Sequence, residues 1–364
     1  MPIISALEVI VIALIAISAI VTIFNSLTIR RPRISGSAIE ASVAILIPMR
    51  NEVRNALAVC ASAIAQQDLR HFEVRALDDQ SNDGTREILT RISAPNFAWR
   101  SGDELPMGWL GKNFALHTLA ADANAEYLVF LDSDVRLDAR AVAASIELME
   151  RFDLAYLSPY PRQLTSSLLE KLVQPLLQWS WFASLPLLPA ERSLRASTVV
   201  ANGQFFIVRS AAYRKCGGHA AIRGEVLDDL ELARALRRAG YRGNVVDGSE
   251  IASCRMYESA GQLIAGYSKS QWRAFGGLGG ALGVISLLIA TSIAPLVLAI
   301  ANWKIGWFCY IAMVLTRLIV AARTRSSLIS SFFHPLAIAF WIYLIVRSLV
   351  MKSRGQLEWR GRAI

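Results

Sequence analysis

The chain has 364 residues, 54% of them hydrophobic and only 18% charged, with a mean hydropathy of +0.39. Soluble domains carry about 25% charged residues, so part of this chain belongs in lipid. A membrane helix uses only about 20 residues, which leaves room for a large domain and excludes a pure membrane bundle. The formal charge of +9 admits nucleic acid, anionic lipid or phosphorylated substrates as partners. Its basic residues sit beside apolar stretches, at Arg30, Arg31 and Arg33, at Arg323 and Arg325, and at Lys352, Arg354, Arg360 and Arg362. That placement favours lipid head groups and orientation signals and argues against nucleic acid.

Residues 5–28 are almost wholly apolar, with Glu8 and Asn25 the strongly polar exceptions. The run leads into three arginines, the reverse of a cleaved signal peptide, so an N-terminal anchor over 1–30 with its C-terminal end in the cytosol is expected. From Ser42 to about Tyr160, short β-rich runs alternate with helical stretches, which implies an α/β fold with parallel strands joined by crossover helices. Strands are expected at 43–47, 72–77, 97–100 and 127–131, and helices at 52–66, 85–92, 112–121 and 139–151. Residues 168–188 are apolar and bear Trp179 and Trp181 but are broken by Pro175 and Pro186; they form either an interfacial helix that lays the domain on the bilayer or a buried structural helix.

Three further apolar stretches, 277–301, 306–322 and 328–351, approach membrane-spanning length. The middle one is short and contains Arg317. With one N-terminal crossing, three C-terminal crossings would put the basic tail 352–364 outside, against the positive-inside rule, so either one of these stretches does not cross, this short one being the candidate, or the tail is an exception to the rule. The division is thus an anchor over 1–30, a domain over 40–276, membrane helices over 277–351 and the basic tail, with a multi-pass location in the cell membrane and the domain in the cytosol. Four scattered cysteines without a CxxC pair suggest neither disulfides nor a zinc site.

The carboxylates carry the chemical information. Asp78 and Asp79 close the second expected strand, and Asp132-Ser133-Asp134 closes the strongest one. Acids at strand ends lie in the ligand crevice of such a sheet. A D-x-D there suits Mg2+ held by carboxylates and substrate phosphates, although the same aspartates could simply cap a turn. Two other loops would lie beside it: Pro48-Met49-Arg50-Asn51-Glu52 after the first strand, and Gln80 to Thr85 after the second. Gly108-Trp109-Leu110-Gly111-Lys112-Asn113 puts a lysine near a helix N-terminus, where phosphate oxygens are favoured. Asp228-Asp229 opens an amphipathic helix, where acids also serve as dipole partners.

In order and spacing these segments resemble the nucleotide-sugar half of family 2 glycosyltransferases of the GT-A fold. With Gly-Trp-Leu-Gly-Lys and the apolar helices, the likeness narrows to membrane-bound, lipid-modifying members such as the carotenoid-acid (diaponeurosporenoate) and hopanoid-associated enzymes. The resemblance implies an inverting hexosyltransferase that takes a nucleotide-sugar donor, UDP-glucose favoured, and a membrane lipid acceptor such as a carotenoid or other isoprenoid. It implies that Pro48, Arg50, Glu52, Asp78 and Asp79 hold the nucleoside, Lys112 the diphosphate, and Asp132 with Asp134 a Mg2+ or Mn2+ ion. Asp229, with Asp228 beside it, matches the catalytic base. Asn202, Gly203 and the Arg255-Met256-Tyr257 segment line either the acceptor cleft or ordinary loops. A polyprenyl-phosphate sugar transferase or a polysaccharide synthase is the alternative, but Gln271-Trp272-Arg273 departs from the Q-x-x-R-W motif of polymer-making members.

Overall fold

A computed structural model describes residues 6–34, 36, 38–301 and 304–356, with the backbone of 358–359 and 362–363. The first five residues of the expected anchor and residues 357, 360, 361 and 364 of the basic tail lie outside the described residues. The chain forms two units: residues 30–162 with 189–256, and residues 1–29 with 163–188 and 257–364. The sequence places one domain over 40–276; the structure groups 163–188 and 257–276 with the apolar helices instead.

The first unit is built on a seven-stranded sheet. Its strands are β1 (Val43–Met49), β2 (Phe72–Asp78), β3 (Phe97–Ser101), β4 (Tyr127–Leu131), β6 (Tyr156–Tyr160), β8 (Phe205–Arg209) and β9 (Gly243–Asp247), in the order β3-β2-β1-β4-β8-β6-β9. The two-residue β7 (Arg162–Gln163) follows β6, and β5 (Val135–Leu137) pairs antiparallel with β10 (Ala252–Cys254). The β1–β2, β2–β3, β1–β4 and β6–β9 pairs are parallel, and β8 runs against both its neighbours. The sheet is therefore mostly parallel, and the C-terminal ends of β1, β2 and β4 share one edge with the N-terminal end of β8.

Both faces of the sheet are covered, which is why its central strands read as unbroken apolar runs. Val43, Ile45, Ile47, Val129 and Leu131 pack with Val59, Cys60, Ile146 and Met149 on one side. Ala44, Leu46, Leu128 and Phe130 pack with Leu116, Leu119, Leu232 and Leu236 on the other. The helix expected from Glu52 begins only at Ala56. The backbone N–H groups of Glu52 and Val53 donate to Thr85 Oγ1 (2.8 Å) and Asp83 Oδ2 (3.0 Å), so this stretch serves the neighbouring loop before a helix can start.

Arg30 and Arg31, expected at lipid head groups, are used inside this unit. Arg30 makes a two-pronged pair with Glu191, 2.8 Å in each arm, and stacks 3.3 Å from the Phe152 ring. Arg31 pairs with Asp247 at 2.6 Å.

The second unit is helical. Glu8–Thr28, Leu278–Ile300, Lys304–Arg323 and Ile329–Ser353 are long and apolar enough to cross a membrane. The Arg317-bearing stretch, expected to be too short, spans 20 residues and buries its arginine. The backbone widens into a π turn over Ile289–Ile293, directly before Pro295, which lacks an N–H and clashes with the carbonyl of the preceding turn. Gly306 lies against the helix Ala294–Ile300: a Cβ there would sit 2.6 Å from the Ala299 nitrogen, a close approach open only to a small residue.

The helix Leu168–Ser184 belongs to this unit and buries Val173, Leu176, Trp179 and Phe182. Asn25 ties down its C-terminal end: its amide donates to the Phe182 and Leu185 carbonyls, 2.8 Å each, and accepts from Leu187 N–H at 2.9 Å.

Candidate active site

The loops after β1 and β2 are stitched together edge to edge. Asn51 takes a left-handed conformation (φ 55°), which lets its N–H reach Ser81 Oγ at 2.9 Å while its side chain accepts from Asn82 N–H at 3.0 Å. Arg50 Nη1 donates to the Asp79 carbonyl at 2.6 Å and lies 3.7 Å from its carboxylate. Asp78 is buried and accepts from Ser81 N–H at 3.2 Å. Glu52, buried as well, accepts from Asn55 at 2.9 Å, and Asn55 accepts from Arg136 at the same distance. Arg50, Glu52, Asp78 and Asp79 thus sit together where β1 and β2 end, with Pro48 inside β1 opposite Leu77.

Asp132 follows β4, and its N–H donates to the Gln204 carbonyl at 3.0 Å because β8 pairs alongside. Lys112, from the helix Gly111–Asp122, reaches both Asp132 Oδ1 (2.9 Å) and Asp228 Oδ2 (3.2 Å). Burial opposes the lysine's charge, but Asp132, Asp228 and, behind them, Asp229 outweigh it and hold the ammonium protonated above its ordinary range. Burial likewise pushes the Asp132 carboxyl up, against the pull of Lys112.

Asp134 is pushed up to about 7, first by burial and then by the charges of Asp132 and Glu52. Its Oδ1 is buried without a hydrogen-bond partner. Among the described residues, no three His, Cys, Asp or Glu side chains converge into a preassembled metal cage.

Asp228 and Asp229 open the helix Asp228–Arg238. Asp229 accepts from Gly203 N–H and from Leu230 N–H, both at 2.7 Å. Burial, then the Asp228 charge, raises its carboxyl to about 6, with Lys112 and these two donors acting against the rise. Asn202 exchanges hydrogen bonds with Ser158 (2.8 and 3.0 Å), and its side chain accepts from Gln204 N–H at 2.8 Å. Gly203 is thereby pressed into the site: a Cβ would lie 3.2 Å from Asp229 Cβ and 3.4 Å from Lys112 Nζ.

The family model described as glycosyl transferase family 2 matches residues 44–217, the span from β1 past β8. The chain carries a family 2 glycosyltransferase domain. It is 25% identical over 238 residues to the 4,4'-diaponeurosporenoate glycosyltransferase of Staphylococcus haemolyticus, which covers 63% of this chain and 60% of that protein. The chain is similar in fold to a mannosyltransferase from Pyrobaculum calidifontis, solved in complex with GDP-Man and Mn2+ (TM-score 0.55, 16% identity, 96% of this chain and 99% of that one). The fold is of the GT-A type.

Two contributors to the candidate site were not singled out by the sequence reading. Asn113 donates to the carbonyls of Ile222, Arg223 and Glu225 at 2.9, 3.2 and 3.0 Å, holding the segment that leads to Asp228. Its place beside Lys112 in the first turn of the helix Gly111–Asp122 was the available signal. Arg136 braces the site, donating to the Ser133 and Val135 carbonyls at 2.8 Å each; nothing in the sequence distinguished it. Of the Arg255-Met256-Tyr257 segment, Arg255 N–H donates to the Asp134 carbonyl at 3.1 Å, whereas Tyr257 packs on Tyr267 in the helical unit. His219 hydrogen-bonds Tyr213 at 2.8 Å inside the core.

Proposed function

We propose that the chain is an inverting, metal-assisted hexosyltransferase that moves a sugar from a nucleotide sugar, UDP-glucose favoured, to a membrane lipid such as a carotenoid or other isoprenoid. One observation carries the reading: Lys112, Asp132, Asp228 and Asp229, drawn from three separate stretches of chain, meet at the carboxyl edge of the sheet. The name of the staphylococcal relative and the four membrane-length helices support a lipid acceptor. The helices also support a multi-pass place in the cell membrane, and the arginines that follow the first of them support a domain on the cytosolic side by the positive-inside rule.

In this reading the nucleoside rests on Pro48, Arg50, Glu52, Asp78 and Asp79. Lys112 turns its ammonium from Asp132 and Asp228 to the donor's diphosphate oxygens, which bear the charge that grows as the sugar leaves. Asp132 and Asp134 would hold Mg2+ or Mn2+. The unpartnered, buried Asp134 Oδ1 and the mutual repulsion of Asp132, Asp134 and Glu52 form the hard oxygen donor set such a cation suits. When bound, the ion neutralises charge on the diphosphate.

Asp229 accepts the proton of the acceptor hydroxyl as its oxygen bonds to the anomeric carbon. The bond from that carbon to the diphosphate oxygen breaks, and its electron pair leaves with the nucleoside diphosphate. A single displacement inverts the anomeric configuration. Gly203 and Asn202 hold Asp229 at the acceptor side.

The test is incubation of membranes containing the protein with labelled UDP-glucose or GDP-mannose, with and without EDTA, followed by mass spectrometry of the lipids. A labelled lipid formed only without EDTA is the expected result; a labelled polymer in its place would favour a polysaccharide synthase, and transfer indifferent to EDTA would remove the metal from the account. The Gln271-Trp272 segment supports a lipid product over a polymer, because it is engaged in packing: Gln271 accepts from Trp341 at 3.0 Å, and Trp272 N–H donates to Ser348 at 2.9 Å.

A further inference from the structure

The helical unit buries polar groups that none of its own residues satisfy. Arg317, on the membrane-length helix Lys304–Arg323, is 1% exposed, and neither Nη1 nor Nη2 has a hydrogen-bond partner. The guanidinium is an electrostatic neighbour of His334, whose ring is fully buried with both nitrogens unpartnered. Trp179 walls this place: its ring stands edge-on to His334 with 4.8 Å between centroids, and its Nε1 donates to Thr316 at 2.9 Å. Ser331 Oγ, one turn before His334, is buried and unpartnered too.

A buried, unpaired guanidinium is among the costliest arrangements in a protein, and a long side chain near a helix end ordinarily reaches for the interface instead. No carboxylate reaches Nη1 or Nη2, and the sequence has no Asp or Glu between Glu258 and Glu358. Glu170, on the helix that bears Trp179, is occupied by Ser166 and Ser167. Arg317 and His334 lie on consecutive membrane-length helices, about six residues before the end of one and five after the start of the next. At 1.5 Å per residue both sit roughly 8–9 Å in from the same membrane boundary, the depth of a lipid head group that has sunk toward the acyl region.

We propose that Arg317 and His334, with Ser331 and Trp179 beside them, form a binding site for the oxyanion head group, carboxylate or phosphate, of a membrane-dissolved amphiphile. The guanidinium supplies a fork of donors that matches a carboxylate or phosphate. The imidazole and the hydroxyl supply further donors, and the Trp179 face meets the first carbons of the chain. The site stands on the helical unit alone and does not depend on the sugar-transfer reading.

The full chain in a nonionic alkyl maltoside detergent, which brings no oxyanion head group of its own, tests this by thermal unfolding with added oleate, dioleoyl phosphatidic acid or inorganic phosphate. Oleate or phosphatidic acid is expected to raise Tm by a few degrees at saturation, while inorganic phosphate leaves it unchanged. Without added lipid, Arg317→Gln is expected to be at least as stable as the wild type, because it removes an unpaired charge, and to lose the lipid response. Arg317→Lys and His334→Gln guard against a variant that fails to fold; each should shift the response to about tenfold higher lipid concentration. A response to inorganic phosphate equal to that for lipid would overturn the amphiphile, and no response to any probe, or midpoints unmoved in both conservative variants, would overturn the site.

Discussion

The N–H of Gly203 donates to Asp229 Oδ2 at 2.7 Å, joining the start of β8 to the start of the helix Asp228–Arg238 across 26 residues of sequence. The bond fixes the orientation of the carboxylate that the proposal makes the base, and the absence of a side chain at Gly203 lets Lys112 approach it. Gly203→Ala brings a methyl to 3.2 Å from Asp229 Cβ and 3.4 Å from Lys112 Nζ, so neighbours must move by a few tenths of an ångström. The expected outcome is a folded protein whose kcat falls about tenfold or more with little change in donor KM, read from steady-state kinetics.

The pH profile follows from the Asp229 carboxyl, raised to about 6 by burial and the Asp228 charge. A base must be ionised to act, so turnover is expected to fall as pH drops through about 6 and to be level above it. Stability runs the other way. The folded value lies above that of an exposed carboxylate, so the folded state holds the proton more tightly, and the site loses stability as pH rises from about 4 to about 6. Asp229→Asn should therefore abolish the acid limb and lower kcat by roughly 100- to 10,000-fold without lowering Tm at neutral pH.

Removing the cation between the carboxylates has a different signature. Lys112→Met leaves Asp132 facing Asp228 without the ammonium that lies 2.9 and 3.2 Å from them. Both Tm at neutral pH and kcat/KM for the donor should fall, and much of the Tm loss should return as pH is lowered and Asp132, whose carboxyl burial already pushes up, takes up its proton.

How much of this was legible in the sequence depends on which physical signal each piece emits. The ends of β1 and β4 stand out because apolar runs buried on both faces stop abruptly at Arg50 and Asp132, and that of β2 because its strand closes on the acid pair Asp78-Asp79. Strands β6 and β9 were missed: Tyr156–Tyr160 contains Pro159, and Gly243–Asp247 carries Gly, Asn and Asp, residues that locally oppose a strand. β6 pairs on both sides, with β8 and β9, and β9 closes the edge of the sheet against β6; this pairing outweighs that preference. The meeting of Lys112 with Asp228, and of Gly203 with Asp229, is a tertiary fact to which spacing gives no access. Arg30 and Arg31 look like lipid contacts until Glu191 and Asp247 are placed beside them.

Hydropathy alone also misjudges Asn25. In a membrane-length helix a leucine there should be an improvement, yet its side chain satisfies two carbonyls and one N–H at the end of Leu168–Ser184. Asn25→Leu is expected to destabilise the protein by about 1–3 kcal/mol per group left unpaired, seen as a lowered Tm in detergent or nanodiscs.

The strongest test of sugar transfer to lipid is a radiolabel count in the organic-soluble fraction. Membranes bearing wild type, Asp229→Asn or Asp132→Ala are supplied with labelled UDP-glucose or GDP-mannose and Mg2+ or Mn2+. Label in a lipid from the wild type, lost on adding EDTA and in both variants, is the predicted result. Lipid labelling that persists in both variants, or wild-type label confined to a water-soluble polymer, would contradict it.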